Sequence, residues 1–90
     1  MARTRTRLAP VHPGEVLDWE FLKPLGLSAA DLAARIGMPL EQIEGVLRRE
    51  RSLDAALALR LGTLFGTTPE FWVHLQGYYD LERARDHPPR

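Results

Sequence analysis

"SAADLAARIGMPLEQIEGVLRR", residues 28–49, decides how the chain is read. Ser28 is a strong helix N-cap and Asp31 follows three residues on. This is a short-armed capping box, in which cap side chain and carboxylate satisfy each other's backbone N–H groups. Leu32 and Ile36 fall one turn apart on one face, and Gly37 is the stop, because glycine enters the left-handed C-cap conformation without a Cβ penalty. Only Met38 separates that stop from Pro39, which suits a first helical position, and Leu40, Ile43 and Leu47 form a second apolar stripe. Ala33 is small enough for the two helices to approach, while Ile36, Ile43 and Val46 lock the second in place. A helix-turn-helix needs this arrangement. On spacing alone, an ordinary αα-hairpin within a small bundle fits equally well.

Upstream, "EVLDWEFLKPL" (residues 15–25) sets Leu17, Phe21 and Leu25 at four-residue spacing, with acidic groups in the first turn where the helix dipole favours them. That predicts a helix from Gly14 to near "KPLG" (residues 23–26). In "APVHPG" (residues 9–14) two prolines deny a helix room, and Arg3, Arg5 and Arg7 alternate with small or polar groups. Residues 1–13 are therefore expected to be a flexible basic arm, with a minor groove, DNA phosphates or a protein partner as places where it would order. Downstream, Asp54 caps a helix carrying Leu57, Leu61 and Leu64 up to Gly66, with Leu53 placed to staple onto Ala58. Thr68 and Pro69 open a fifth helix through "LERAR" to about Arg85, and "DHPPR" (residues 86–90) ends as a disordered tail. No strand signal or long repeat appears. The expected fold is all-α, a compact five-helix domain over residues 14–85.

Ninety residues make one domain of modest stability, for which dimerisation would be a help. No apolar run approaches membrane-spanning length, and the basic start has no apolar stretch behind it, so a cytoplasmic protein is expected. The absence of cysteine excludes disulfides and thiolate chemistry. His12, His74 and His87 lack ligand spacing, and no carboxylate pair or serine–histidine arrangement suggests catalysis. Neither an enzyme nor a metal or other cofactor is expected, and no small-molecule substrate. With a formal net charge of zero, nucleic-acid binding requires arginine concentrated in one place.

Four stretches break the tie between helix-turn-helix and plain hairpin: "HPGEVLDWEFLKPLGLS" (residues 12–28), "LAARIGM" (32–38), "ALALRLGTLFGTTPEFWVHLQ" (56–76) and "YYDLERA" (78–84). Together they resemble the HigA antitoxin family, the VapI/XRE-like helix-turn-helix proteins of bacterial toxin–antitoxin operons, from His12 to about Ala84. The resemblance implies a lambda-repressor-like domain acting as a homodimer. Such a dimer represses its own operon and neutralises a HigB/RelE-like ribonuclease toxin. It further implies that the helix beginning near Pro39 reads operator DNA. Carried over position by position, Leu40, Glu41, Gln42 and Gly45 face bases, and Ser28, Arg48, Arg49 and Arg51 face phosphates. Gln42 suits adenine and the arginines suit phosphate, whereas Glu41 and Glu44 repel phosphate unless one accepts from cytosine. "RRER" (residues 48–51) departs from the family's asparagine-glycine-lysine-arginine type of turn, putting Arg49 where glycine is expected. Either the recognition helix runs longer, or Arg49 adopts a strained turn conformation.

The aromatic stretch "TPEFWVHLQGYYD" (residues 68–80) remains. On a helix from Pro69, Phe71, Leu75 and Tyr78 share one face and Trp72, Leu75 and Tyr79 a neighbouring one, wider than one bundle contact requires. Phe71 is expected in the core, and Trp72, Leu75, Tyr78 and Tyr79 against a second subunit. Packing of all four rings inside the monomer is the alternative. A two-fold contact there sets recognition helices about 34 Å apart and predicts an inverted-repeat operator. The rival functions are a stand-alone XRE-family regulator without a toxin and a toxin-binding module that has lost DNA binding.

Overall fold

The computed structural model describes residues 11–86; Arg3, Arg5, Arg7 and His87 lie outside the described residues. Helix α1 joins Pro13–Val16 (α-helical), Leu17–Leu22 (π-helical) and Lys23–Leu25 (α-helical). It starts one residue before the expected Gly14, because His12 is the N-cap: its Nδ1 accepts the Gly14 N–H at 2.9 Å, and Pro13 is buried behind it. His12 and Pro13 thus belong to the folded domain and not to the arm.

The π-helical segment changes which side chains face inward. Its wider turn brings residues five apart onto one face. Leu17 and Leu22 are both buried, Phe21 is half-buried, and Leu25 is 59% exposed. The expected Leu17–Phe21–Leu25 stripe assumed a regular 3.6-residue period and is corrected accordingly.

Helix α2, Ala29–Ile36, has both arms of the capping box: Ser28 Oγ accepts from Asp31 N–H and Asp31 accepts from Ser28 N–H, each at 3.0 Å. Gly37 closes it with φ of 68°. Helix α3, Leu40–Leu47, begins one residue later than expected, with Pro39 as N-cap in extended conformation. Its buried residues are Ile43, Gly45 and Val46, whereas Leu40 is exposed, so the inward stripe is not the expected Leu40–Ile43–Leu47. Among the described residues, Arg49 is the non-glycine with positive φ, at 64°. The helix therefore stops and the backbone strain is accepted, at a cost of about 1–3 kcal/mol.

Helix α4, Ala55–Phe65, is capped by Asp54 and stopped by Gly66. Helix α5, Pro69–Asp86, starts with Thr68 Oγ accepting the Phe71 N–H at 3.1 Å and runs one residue past Arg85. No strand occurs among the described residues.

The core is Leu17, Leu22, Leu32, Ile36, Ile43, Val46, Leu53, Leu57, Ala58, Leu61 and Trp72, with Ala33. Trp72 is 0% exposed, its indole N–H donates to Thr67 Oγ at 2.7 Å, and its ring packs against Phe21 and Phe71. Phe71 is 39% exposed. The expectation for Trp72 is thus corrected: it closes the core and presents no surface to a second subunit, because it is wholly buried with its indole N–H satisfied inside the chain. Leu53, which precedes α4, is tied to α5 through Gln76, whose Oε1 accepts the Leu53 N–H at 2.8 Å.

Candidate nucleic-acid interface

Helices α2 and α3 meet across Gly37–Pro39, and the start of α3 presents Leu40 and Glu41 exposed, with Gln42 half-buried beside them. Gly45 is not part of that surface. It is buried, and an added Cβ would collide with Cγ and Cδ of Arg51, whose aliphatic stem crosses over it. The Gly45 carbonyl accepts the N–H groups of Glu50 (2.8 Å) and Arg51 (3.2 Å), so this glycine organises the turn instead of meeting a base.

That turn concentrates the arginines. Arg48 stands between two carboxylates, Glu44 and Glu50, each 3.6 Å away. Arg49, turned by its left-handed backbone, donates to Glu15 of α1 at 2.8 Å. Among the described residues no carboxylate is paired with Arg51. At the start of α2, Ser28 has its N–H committed to Asp31, and its Oγ accepts the Asp31 N–H. The neighbouring Ser28 donor groups hold the Asp31 carboxyl below its ordinary value.

Glu15 is held in place by the way α1 begins. An added Cβ on Gly14 would collide with the Val46 carbonyl oxygen, so α1 lies directly on the backbone of α3. His12 is buried in the same corner, with its ring edge-on to Tyr79 of α5 at 4.7 Å. Burial pushes the His12 imidazole below its ordinary value; a hydrogen bond with the Arg51 backbone and the charges of Asp80 and Glu15 oppose that, while Arg49 adds to it. His12 thus joins α1, the turn after α3, and α5. Sequence reading passed over Glu15, Glu50 and Gln76 as functional positions. The only signal was the glutamate of the "HPGE" opening, whose partner lies 34 residues away.

The other expected surface is on α5. Val73, His74, Gly77, Tyr78 and Leu81 line a shallow groove of about 370 Å³. Tyr78 is the most exposed of them, while Leu75 and Tyr79 are half-buried. Among the described residues no cluster of histidine and acidic side chains is placed to hold a metal, and no helix is long and apolar enough to cross a membrane.

No protein-family model matches the sequence. Individual relatives do. The chain is 39% identical to virulence-associated protein I of Dichelobacter nodosus over 80 residues, spanning 89% of this chain and 74% of that one. It is 34% identical to antitoxin HigA-1 of Vibrio cholerae over 82 residues, spanning 91% and 77%. The chain belongs to the HigA antitoxin family. A solved HigA-family antidote protein from Coxiella burnetii superposes with a TM-score of 0.85 at 41% identity, covering 89% of this chain and 87% of that one. Pseudomonas aeruginosa HigA, solved with the higBA promoter, gives 0.85 at 37% identity over 87% and 85%. The HigA relatives are antitoxins and helix-turn-helix regulators, not enzymes.

Proposed function

We propose that this HigA-family chain is an antitoxin that represses its own operon, binding an inverted-repeat operator as a homodimer, and that it neutralises a ribonuclease toxin of the HigB/RelE class in the cytoplasm. The observation that carries the DNA half is the juxtaposition of an exposed α3 start with an arginine-rich turn directly after α3. Leu40, Glu41 and Gln42 would face bases, with Gln42 pairing to adenine and Glu41 accepting from cytosine. Arg48, Arg49, Arg51 and the Ser28 hydroxyl would face phosphates. Pseudomonas HigA solved with the higBA promoter supports DNA binding as such. Residues 12–86 form the DNA-binding and dimerising unit in this reading.

For the dimer, the outer face of α5 is the best surface. Tyr78 would lie at its centre with Val73, Gly77 and Leu81, and Leu75 and Tyr79 would support it from the half-buried flank. A second copy is the natural cover for such a face in so small a domain.

An electrophoretic shift on the DNA upstream of the gene tests the repressor. A specific, salt-sensitive complex is expected, and its absence would leave a protein-binding module. Gln42→Ala should cost about 1–3 kcal/mol on the operator and far less on random DNA; equal losses on both would remove Gln42 from base reading. Co-purification with the product of a neighbouring reading frame tests the toxin. If none exists, the stand-alone regulator is the better reading.

A further inference from the structure

Two arginines of the turn after α3, Arg48 and Arg49, are paired with carboxylates. We propose that Glu15, Glu44 and Glu50 act as an electrostatic brake on the grip of Arg48 and Arg49 on the DNA backbone, leaving recognition to depend on base contacts. The inference rests on the DNA-binding reading above.

Geometry distinguishes this arrangement from ordinary surface ion pairs. Arg48 lies between two carboxylates, so a phosphate reaching it meets acid on either side. Arg49 points at a carboxylate from a different helix, and the backbone position of each partner is constrained. The left-handed backbone of Arg49 sets the direction of its side chain, and Glu15 sits on an α1 start pinned by the His12 cap and the Gly14 contact with Val46. A phosphate that reaches either guanidinium, through the N–H donors the carboxylates leave free, comes to lie beside at least one carboxylate. The net positive charge delivered to DNA falls, and fewer counterions are released. Arg51, with its stem packed over Gly45 and no carboxylate partner among the described residues, would deliver its charge undiminished.

Glu15→Gln removes the charge but keeps an oxygen that accepts from Arg49, so the turn geometry is retained. The test is fluorescence anisotropy of the full chain on a random-sequence duplex and on the DNA upstream of its gene. For Glu15→Gln we expect roughly two- to fivefold tighter binding to both duplexes by the same factor, the range of one exposed ion pair, and a log–log salt slope steeper by about one. Glu15→Gln with Glu50→Gln should extend both effects. Arg51→Ala should flatten the wild-type slope more than Arg49→Ala does. Unchanged affinity and slope in the double variant would overturn the brake. So would weaker binding by Glu15→Gln at an unchanged melting temperature, since Glu15 would then be aiming Arg49 at phosphate. Failure of the wild type to bind either duplex at low salt would instead sink the DNA-binding reading itself.

Discussion

The two faces of α5 carry similar side chains and have opposite partners. On the inner face, Trp72 is fully buried with its indole N–H bonded to Thr67, and Gln76 holds the Leu53 N–H. On the outer face, Val73 (44% exposed), Tyr78 (69%) and Leu81 (47%) line an open groove. The difference is one of polar satisfaction as much as of apolar area. A tryptophan is drawn inward where its N–H finds an acceptor, while a tyrosine hydroxyl can stay wet with its ring against another surface. In this helix, aromatic content marks both the core and the candidate interface, and the hydrogen-bond partner tells them apart.

Four substitutions or conditions test that division, from the largest expected effect to the smallest. Trp72→Ala should destabilise the monomer by about 3–5 kcal/mol, read as a lower urea midpoint; a stable chain that merely lost its dimer would return Trp72 to the outer face. Gln76→Leu should cost about 1–3 kcal/mol because it strands the buried Leu53 N–H, and a neutral result would mean that water replaces the side chain. Tyr78→Asp should shift sedimentation toward monomer while changing the monomer's own stability by about 0.5 kcal/mol or less. A dimer that ignores the change would move the two-fold contact elsewhere.

The fourth test is pH. Burial keeps His12 neutral in the folded chain, whereas unfolded His12 titrates at its ordinary 6.5. As pH falls through that value the unfolded chain takes up the proton first, so the contribution of neutral His12 is complete above it and shrinks below it. It stops shrinking once folded His12 is protonated as well. Urea midpoints should therefore decline between neutral and mildly acidic pH. His12→Asn, which keeps a capping acceptor without titrating, should flatten that part of the profile.

What the sequence made legible was local. Ser28 with Asp31, Gly37, Asp54, Gly66 and Thr68 set five helix boundaries within a residue or so, because each works through backbone groups at most four positions away. The π-helical stretch of α1 was not legible, since Leu22 turns inward through packing against the rest of the core and no residue within 17–22 signals a wider turn. The Glu15–Arg49 pair was hidden by its sequence separation, although the strained turn at Arg49 stood among the two outcomes the sequence left open. Gly45 was misassigned because what lies over a glycine is decided by a neighbour, here the Arg51 stem. The interior place of Trp72 depended on Thr67, five residues away and not on any helical face with it.

Two glycines at the packing of helix α3, Gly14 against it and Gly45 within it, differ in tolerance. At Gly14 a methyl group would meet the backbone of α3 itself, and only a shift of a whole helix makes room; at Gly45 it would meet the middle of a flexible arginine that can swing into solvent. Selection from a library randomised at both positions should return glycine alone at 14 and a mixture of small residues at 45. Helix α3 therefore has one wall that cannot yield and one that can. In the proposed DNA complex, any adjustment of the angle of α3 would pivot about its contact with α1 and take up slack on the Arg51 side.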